Sequence, residues 1–217
     1  MTRPSILLVG TVDTKSDELG FMRERLLALG AKVLLMDVGT ALEMQAAHRV
    51  ALDIANAEVA KAAGSTLQAV VDCGDENRAM TTMAAGAASI AIRLQEQGHM
   101  QGLLALGGTM GTDLALEVAA ALPLGCAKVL VSTVAYSHLI PPERIAPDLI
   151  MVLWAGGLFG LNSLCRSALS QACGAVVGAA QAAMPPQREV TRSPCSTPPA
   201  WVDAPLRRWH RPRNSVR

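Results

Sequence analysis

Very little in this sequence points outward. The formal net charge is only +1 over 217 residues, so no global field draws the chain to nucleic acid or to a membrane surface. The cysteines Cys73, Cys126, Cys165, Cys173 and Cys195 show no C-x-x-C or Cys/His ligand spacing, which argues against a zinc framework. Free thiols suit a reducing compartment, so a cytoplasmic location is expected. The N-terminus lacks the apolar core and cleavage site of a secretory signal. Between Asp148 and Arg188 the only charge is Arg166. Yet the longest apolar run there, residues 149–161, falls short of the roughly 20 residues that span a bilayer. Beyond it, Leu161, Leu164, Cys165, Ala168, Leu169 and Ala172 recur at helical spacing, as on an amphipathic helix of a soluble domain. A nucleophile-elbow motif is also missing, and His138 sits in a proline-rich loop with no orienting acid nearby in sequence. Hydrolysis by Ser132, Thr133 and His138 is therefore not favoured.

What the chain does have is apolar runs alternating with helical patterns. Hydrophobic residues make up 51% of it, enough for a sizeable core. Continuous apolar runs predict strands at residues 5–10, 32–37, 102–106, 126–132 and 148–154. Helices are expected from about Thr14, with Asp17 completing a weak capping box, to Leu29. Others are expected over residues 54–63, 76–97, 109–122 and 162–183. Met80 and Met83 fall on the core stripe of the third of these. Residues 67–73 read either as a short extra strand or as a connector, and residues 41–52 carry no clear pattern. The alternation predicts an α/β fold: a Rossmann-like, doubly wound, mostly parallel sheet of about five strands with helices on both faces.

Composition changes abruptly after Met184. Residues 1–187 hold 12 Lys/Arg and 16 Asp/Glu, while residues 188–217 hold seven Arg against Glu189 and Asp203. Seven of the twelve prolines lie beyond residue 184. The expected organisation is a domain over residues 1–184 and a Pro/Arg-rich tail over 185–217, disordered by its composition and read as either a basic binding arm or a non-native tail, the latter favoured.

In a parallel sheet the turns after the strands share one edge, where ligands bind. Gly10, Thr11, Asp13, Thr14 and Lys15 follow the first strand. Asp37, Gly39 and Thr40 follow the second. Gly107, Gly108, Thr109, Gly111 and Thr112 follow the third, and Ser132 and Thr133 the fourth. Gly107 and Gly108 permit a sharp turn and a close approach. Thr109 and Thr112 suit helix capping, and the helix N-terminus favours an anion. Residues 107–112 thus read either as a phosphate site or as a tight turn without a ligand. Lys15 would supply a point charge to phosphate. Asp37 could hold a ribose hydroxyl, or be a solvated turn acid. Asp13 could hold magnesium through water, or cap its helix.

The stretches VGTVDTKSDEL (residues 9–19), DVGT (37–40), LGGTMGT (106–112), VSTVA (131–135) and GLN (160–162) resemble a known family. It is the uncharacterised family of bacterial, fungal and plant proteins that includes the ATP-binding region of the tomato mosaic virus resistance protein. The resemblance covers residues 5–183. It implies a Rossmann-like first domain, ATP as ligand, Asn162 among the binding residues, and a second α/β domain closing over the first. Thr109 and Met110 stand where that family has Ser and Gly, and the segment after Ala135 departs from its pattern. The second domain is expected to be absent here, with the tail in its place.

Three readings follow. The chain is a nucleotide-binding module, an enzyme fragment acting on a phosphorylated or acyl small molecule, or a dimerising remnant without a ligand. In the first, a homodimer or a partner supplying the second domain completes the site; no nucleic acid and no membrane are involved.

Overall fold

The structure, a computed structural model, describes residues 3–42, 50–158 and 160–183. Five strands form one sheet: β1 (Ser5–Gly10), β2 (Lys32–Asp37), β3 (Gly102–Gly107), β4 (Ala127–Ser132) and β5 (Leu149–Leu153). Their order is β2-β1-β3-β4-β5, and every pairing is parallel. The helices are α1 (Val12–Ala28), α2 (Asn56–Ala62), α3 (Leu67–Asp72), α4 (Glu76–Glu96), α5 (Thr109–Ala121) and α6 (Ser163–Ala182). A short 3₁₀ turn, Pro142–Arg144, precedes β5. This is the doubly wound α/β architecture expected from the sequence.

Strand periodicity explains why both faces are covered. In β1, Ile6 and Leu8 face the core shared with α1 and α6, while Leu7 and Val9 face the core shared with α4 and α5. β3 repeats the division, with Leu104 and Leu106 on the first face and Leu103 and Ala105 on the second. Such strands show no polar alternation, because successive side chains enter different cores.

Two local expectations need correction. Residues 67–73 are neither a strand nor an irregular connector: they carry α3. Thr66 accepts a hydrogen bond from the Ala69 N–H at 3.1 Å and so caps a helix. The α1 helix starts before Thr14. Thr11 is its N-cap, Thr14 Oγ1 lies 2.8 Å from Thr11 Oγ1, and a kink follows at Lys15 (φ −132°, ψ 25°). The Val12 N–H is taken at 3.0 Å by the Asp37 carboxylate of the neighbouring strand end. That bond fixes the start of α1 across two strands, so a capping box at Thr14 is not needed.

The far end of the sheet is tied down. Lys128 is buried, and its Nζ donates to Asp148 Oδ1 at 2.8 Å, to Oδ2 at 3.0 Å and to the Leu122 carbonyl at 3.1 Å. Burial alone would raise the pKa of Asp148. The Lys128 hydrogen bond, the Gly125 N–H and the Lys128 charge outweigh it and hold the carboxyl below the usual range. The expected tail, residues 185–217, lies outside the described residues. No helix among the described residues is long and apolar enough to cross a membrane.

Candidate functional site

The chain runs from β1 to β2 on one side of β1, then returns through α2, α3 and α4 to place β3 on the other side. The strand order therefore reverses between β1 and β3. There the βα turns part and leave a crevice at the carboxyl ends of the strands. A cavity of about 510 Å³ lies at this point.

Its floor and one wall come from residues the sequence singled out. Thr11, Asp13 and Thr14 enter from the β1–α1 turn, Gly39 and Thr40 from the end of β2, and Gly111 from the start of α5. The opposite wall comes from Val70, Cys73, Gly74, Asp75, Glu76, Met80 and Met83 of the α3–α4 corner, with Met110 and Leu114 of α5. Strand-end reasoning misses this corner. The only local signal was Gly74-Asp75, where Asp75 Oδ1 accepts the Arg78 N–H at 3.0 Å and starts α4. Among the described residues that line the cavity, the ionisable side chains with formal charge are the acids Asp13, Asp75 and Glu76.

Asp13 is the unusual group. Its Oδ1 is buried and has no hydrogen-bond partner among the described residues. Buried acceptors are rarely left so, and an unpaired one costs about 1–3 kcal/mol. A Cβ placed on Gly39 would lie 3.0 Å from Asp13 Oδ1 and 3.1 Å from Asp37 Oδ1. Glycine thus lets two carboxylates crowd one stretch of backbone. Asp37 itself is buried, and its Oδ1 accepts the Val12 N–H at 3.0 Å and the Gly39 N–H at 2.9 Å. It is neither solvated nor on the cavity wall. Glu18 Oε1 is the other buried acceptor without a partner among the described residues, and Glu18 is not among the cavity residues.

The remaining residues of the expected site are spread around the crevice. Gly107 makes the β3–α5 turn, where an added Cβ would come within 2.4 Å of the Gly111 carbonyl carbon. At Gly108, the N-cap of α5, a Cβ would meet only Thr133 Oγ1, at 3.9 Å. Thr109 borders a smaller cavity of about 140 Å³ together with Met110 and Asp113. Thr112 does not cap α5. It is buried, and its hydroxyl lies 2.7 Å from that of buried Ser132, which also accepts the Val134 N–H at 3.1 Å. The pair pins the start of α5 to the end of β4, and Thr133 N–H donates to the Gly107 carbonyl at 3.3 Å. Gly10 packs its Cα against Leu19. Lys15 Nζ donates to the Leu158 carbonyl at 3.3 Å, outside the cavity wall. Asn162 caps α6 by accepting the Cys165 N–H at 2.8 Å.

Electrostatically the two main turns differ. The first turn of α1 carries Asp13, and the Asp37 carboxylate already takes a hydrogen bond from Val12. The first turn of α5 carries no acidic residue. Among the described residues no group of three His, Cys, Asp or Glu side chains is placed to hold a metal ion.

Comparison with known proteins places this domain. Residues 4–185 match the model of "Uncharacterised protein family (UPF0261) N-terminal domain". A UPF0261 protein of Brucella suis is 54% identical over 186 residues, covering 86% of this chain and 44% of its own. One from Brucella melitensis is 53% identical with the same coverage, and one from Clostridium tetani is 32% identical over 80% of this chain and 42% of its own. The chain therefore spans less than half the length of the curated relatives it matches. These matches correct the resemblance to the tomato mosaic virus resistance protein family: the model and the relatives bear the UPF0261 name, and none carries an ATP-binding description. By its N-terminal domain, the chain belongs to the uncharacterised protein family UPF0261.

Proposed function

We propose that the chain is a nucleotide-binding module whose crevice divides its ligand between two turns. The observation that carries this reading is the cavity of about 510 Å³ at the strand-order reversal, lined by Asp13, whose Oδ1 is buried and without a partner among the described residues. That volume falls in the usual range for small-molecule sites. An acceptor in such a place calls for a donor, and ribose hydroxyls are donors of the right kind. The apolar wall of Val70, Met80, Met83 and Leu114 suits a flat base.

Phosphate belongs elsewhere. An anion among Asp13, Asp75 and Glu76 would be repelled, whereas the acid-free first turn of α5 offers N–H groups without intrahelical acceptors. The nucleoside thus sits inside the cavity and the phosphates lie outside it, over Gly108 and Thr109. ATP is the first probe. Its magnesium would stay with the phosphates, outside the cavity. Buried free thiols at Cys165 and Cys173 suit a cytoplasmic setting. An open crevice is completed by a partner, either a second copy or a chain supplying what the longer relatives carry.

Calorimetric titration with adenosine and with ATP tests this. Both should bind, with adenosine retaining most of the free energy. Heat from neither would overturn the proposal.

A further inference from the structure

The two edges of the sheet are treated differently. At β2 the segment before α2 closes the edge. Ile54 N–H donates to the Leu35 carbonyl at 3.0 Å, Asp37 N–H donates to the Ile54 carbonyl at 3.0 Å, and Asp53 Oδ2 accepts the Leu35 N–H at 2.9 Å. Arg23 holds Asp53 in place at 2.6 Å. Edge amides and carbonyls there are paired, and charges flank them, which is how natural sheets blunt an edge.

Among the described residues, none of this is done at β5. Its sequence is LIMVL, without charge or proline, and Ile150 and Leu153 are 44% and 47% exposed. Trp154 N–H donates to the Ser132 carbonyl at 2.9 Å, so alternation along a parallel strand turns the backbone groups of Met151 and Leu153 outward. Among the described residues, a hydrogen bond on that side comes from Tyr136. Its hydroxyl donates to the Met151 carbonyl at 2.8 Å. Tyr136 is itself 74% exposed and holds a left-handed backbone at φ 61°. A bulky residue in that conformation is strained. Among the described residues, the edge is therefore apolar, hydrogen-bond-competent and covered by one tyrosine.

We infer that β5 is the docking edge for the part of the UPF0261 chain that follows the N-terminal domain. The occupant is set by length. The matched region ends at residue 185, and in the Brucella suis relative it accounts for 44% of the chain. More than half of that relative must find a surface to pack on. An open apolar edge is a template for an added strand, with main-chain hydrogen bonds to Met151 and Leu153 and apolar side chains against Ile150 and Leu153. Of the two partners expected from sequence, this selects the second half of the protein over a second copy. It is independent of what the crevice binds.

Hydrogen exchange on two proteins, the 217-residue chain and the full-length Brucella suis relative, tests it. In the 217-residue chain the Met151 and Leu153 amides should exchange at least about 100-fold faster than those of β4, as open-edge amides do. In the relative, the amides at the aligned positions should come within about tenfold of its own β4. Light scattering on the 217-residue chain should give a monomer. An equally fast β5 in the relative would overturn the inference. So would a dimer of the 217-residue chain that Ile150→Lys and Leu153→Lys dissolve, because the occupant would then be a second copy. Both positions are exposed enough for lysine to be accommodated, and far-ultraviolet circular dichroism verifies the fold of each variant.

Discussion

The β1–α1 and β3–α5 turns are built alike and charged differently. Each follows a buried strand, contains threonine and glycine, and starts a helix at the same edge of the sheet. Yet α1 begins under the Asp37 carboxylate with Asp13 in its first turn, and α5 begins with no acid. The first turn's demand for negative charge is met from within the protein. No acidic residue of the first turn of α5 meets the same demand there. On the proposed reading, the two glycine-threonine turns do not make two phosphate sites: one would take donors and the other the anion.

The largest effect should come from the second turn. Gly107→Ala drives a Cβ to 2.4 Å from backbone and should cost about 3 kcal/mol or more. Gly108→Ala has open space and should stay within about 0.5 kcal/mol of the parent. Urea midpoints at unchanged slope measure both. If the two variants were equally stable, the tight turn would be misplaced and the comparison with β1–α1 would lose its basis.

The opposite end of the sheet supplies a control. Asp148→Asn leaves the buried Lys128 ammonium without its counter-charge and should cost about 3 kcal/mol near neutral pH, with ligand affinity in the remaining folded protein unchanged. Because the folded-state pKa of Asp148 is lowered, its contribution is present above the unfolded carboxylate value of about 3.9 and is lost as pH falls through the folded value. The parent's advantage over Asp148→Asn should shrink on acidification below about pH 4. An advantage that grew there would have the wrong sign.

How much of this was legible beforehand depends on what each residue answers to. The strands were readable because both faces are buried, so their apolar runs are unbroken. Residues 67–73 were not, because LQAVVDC fits either period and the decision lies with Thr66 outside it. In the site, Asp13 and Thr14 could be named from chain position alone. Thr112 and Ser132 could be named too, but a hydroxyl in a turn does not reveal whether it faces ligand or protein; here the two face each other. Residues Val70–Met83 of the far wall reach the crevice only through the packing of α3 and α4, which no local pattern records. Residues 43–49 and the tail lie outside the described residues.

Smaller effects sharpen the first turn. Asp13→Asn removes the unpaired acceptor's charge. It should leave stability equal to or above the parent's while weakening adenosine about tenfold, roughly 1.4 kcal/mol. A clear loss of stability would mean that the carboxylate is satisfied within the protein. Lys15→Ala should change ATP affinity less than about threefold, since Nζ is directed to the Leu158 carbonyl outside the cavity. A tenfold loss would return Lys15 to the phosphate.

The division of the ligand between the two turns is tested most directly by one cross-titration. Adenosine and ATP are each titrated calorimetrically into Asp13→Asn and Gly108→Val. A Cβ at Gly108 would meet no group closer than Thr133 Oγ1, at 3.9 Å, so a larger side chain can be placed over the α5 turn there. The account predicts that Asp13→Asn loses affinity for both ligands by a similar factor, while Gly108→Val loses ATP and keeps adenosine. If Gly108→Val lost adenosine as well, or if Asp13→Asn strengthened ATP, the phosphates would lie inside the acidic cavity and the two turns would not divide the ligand.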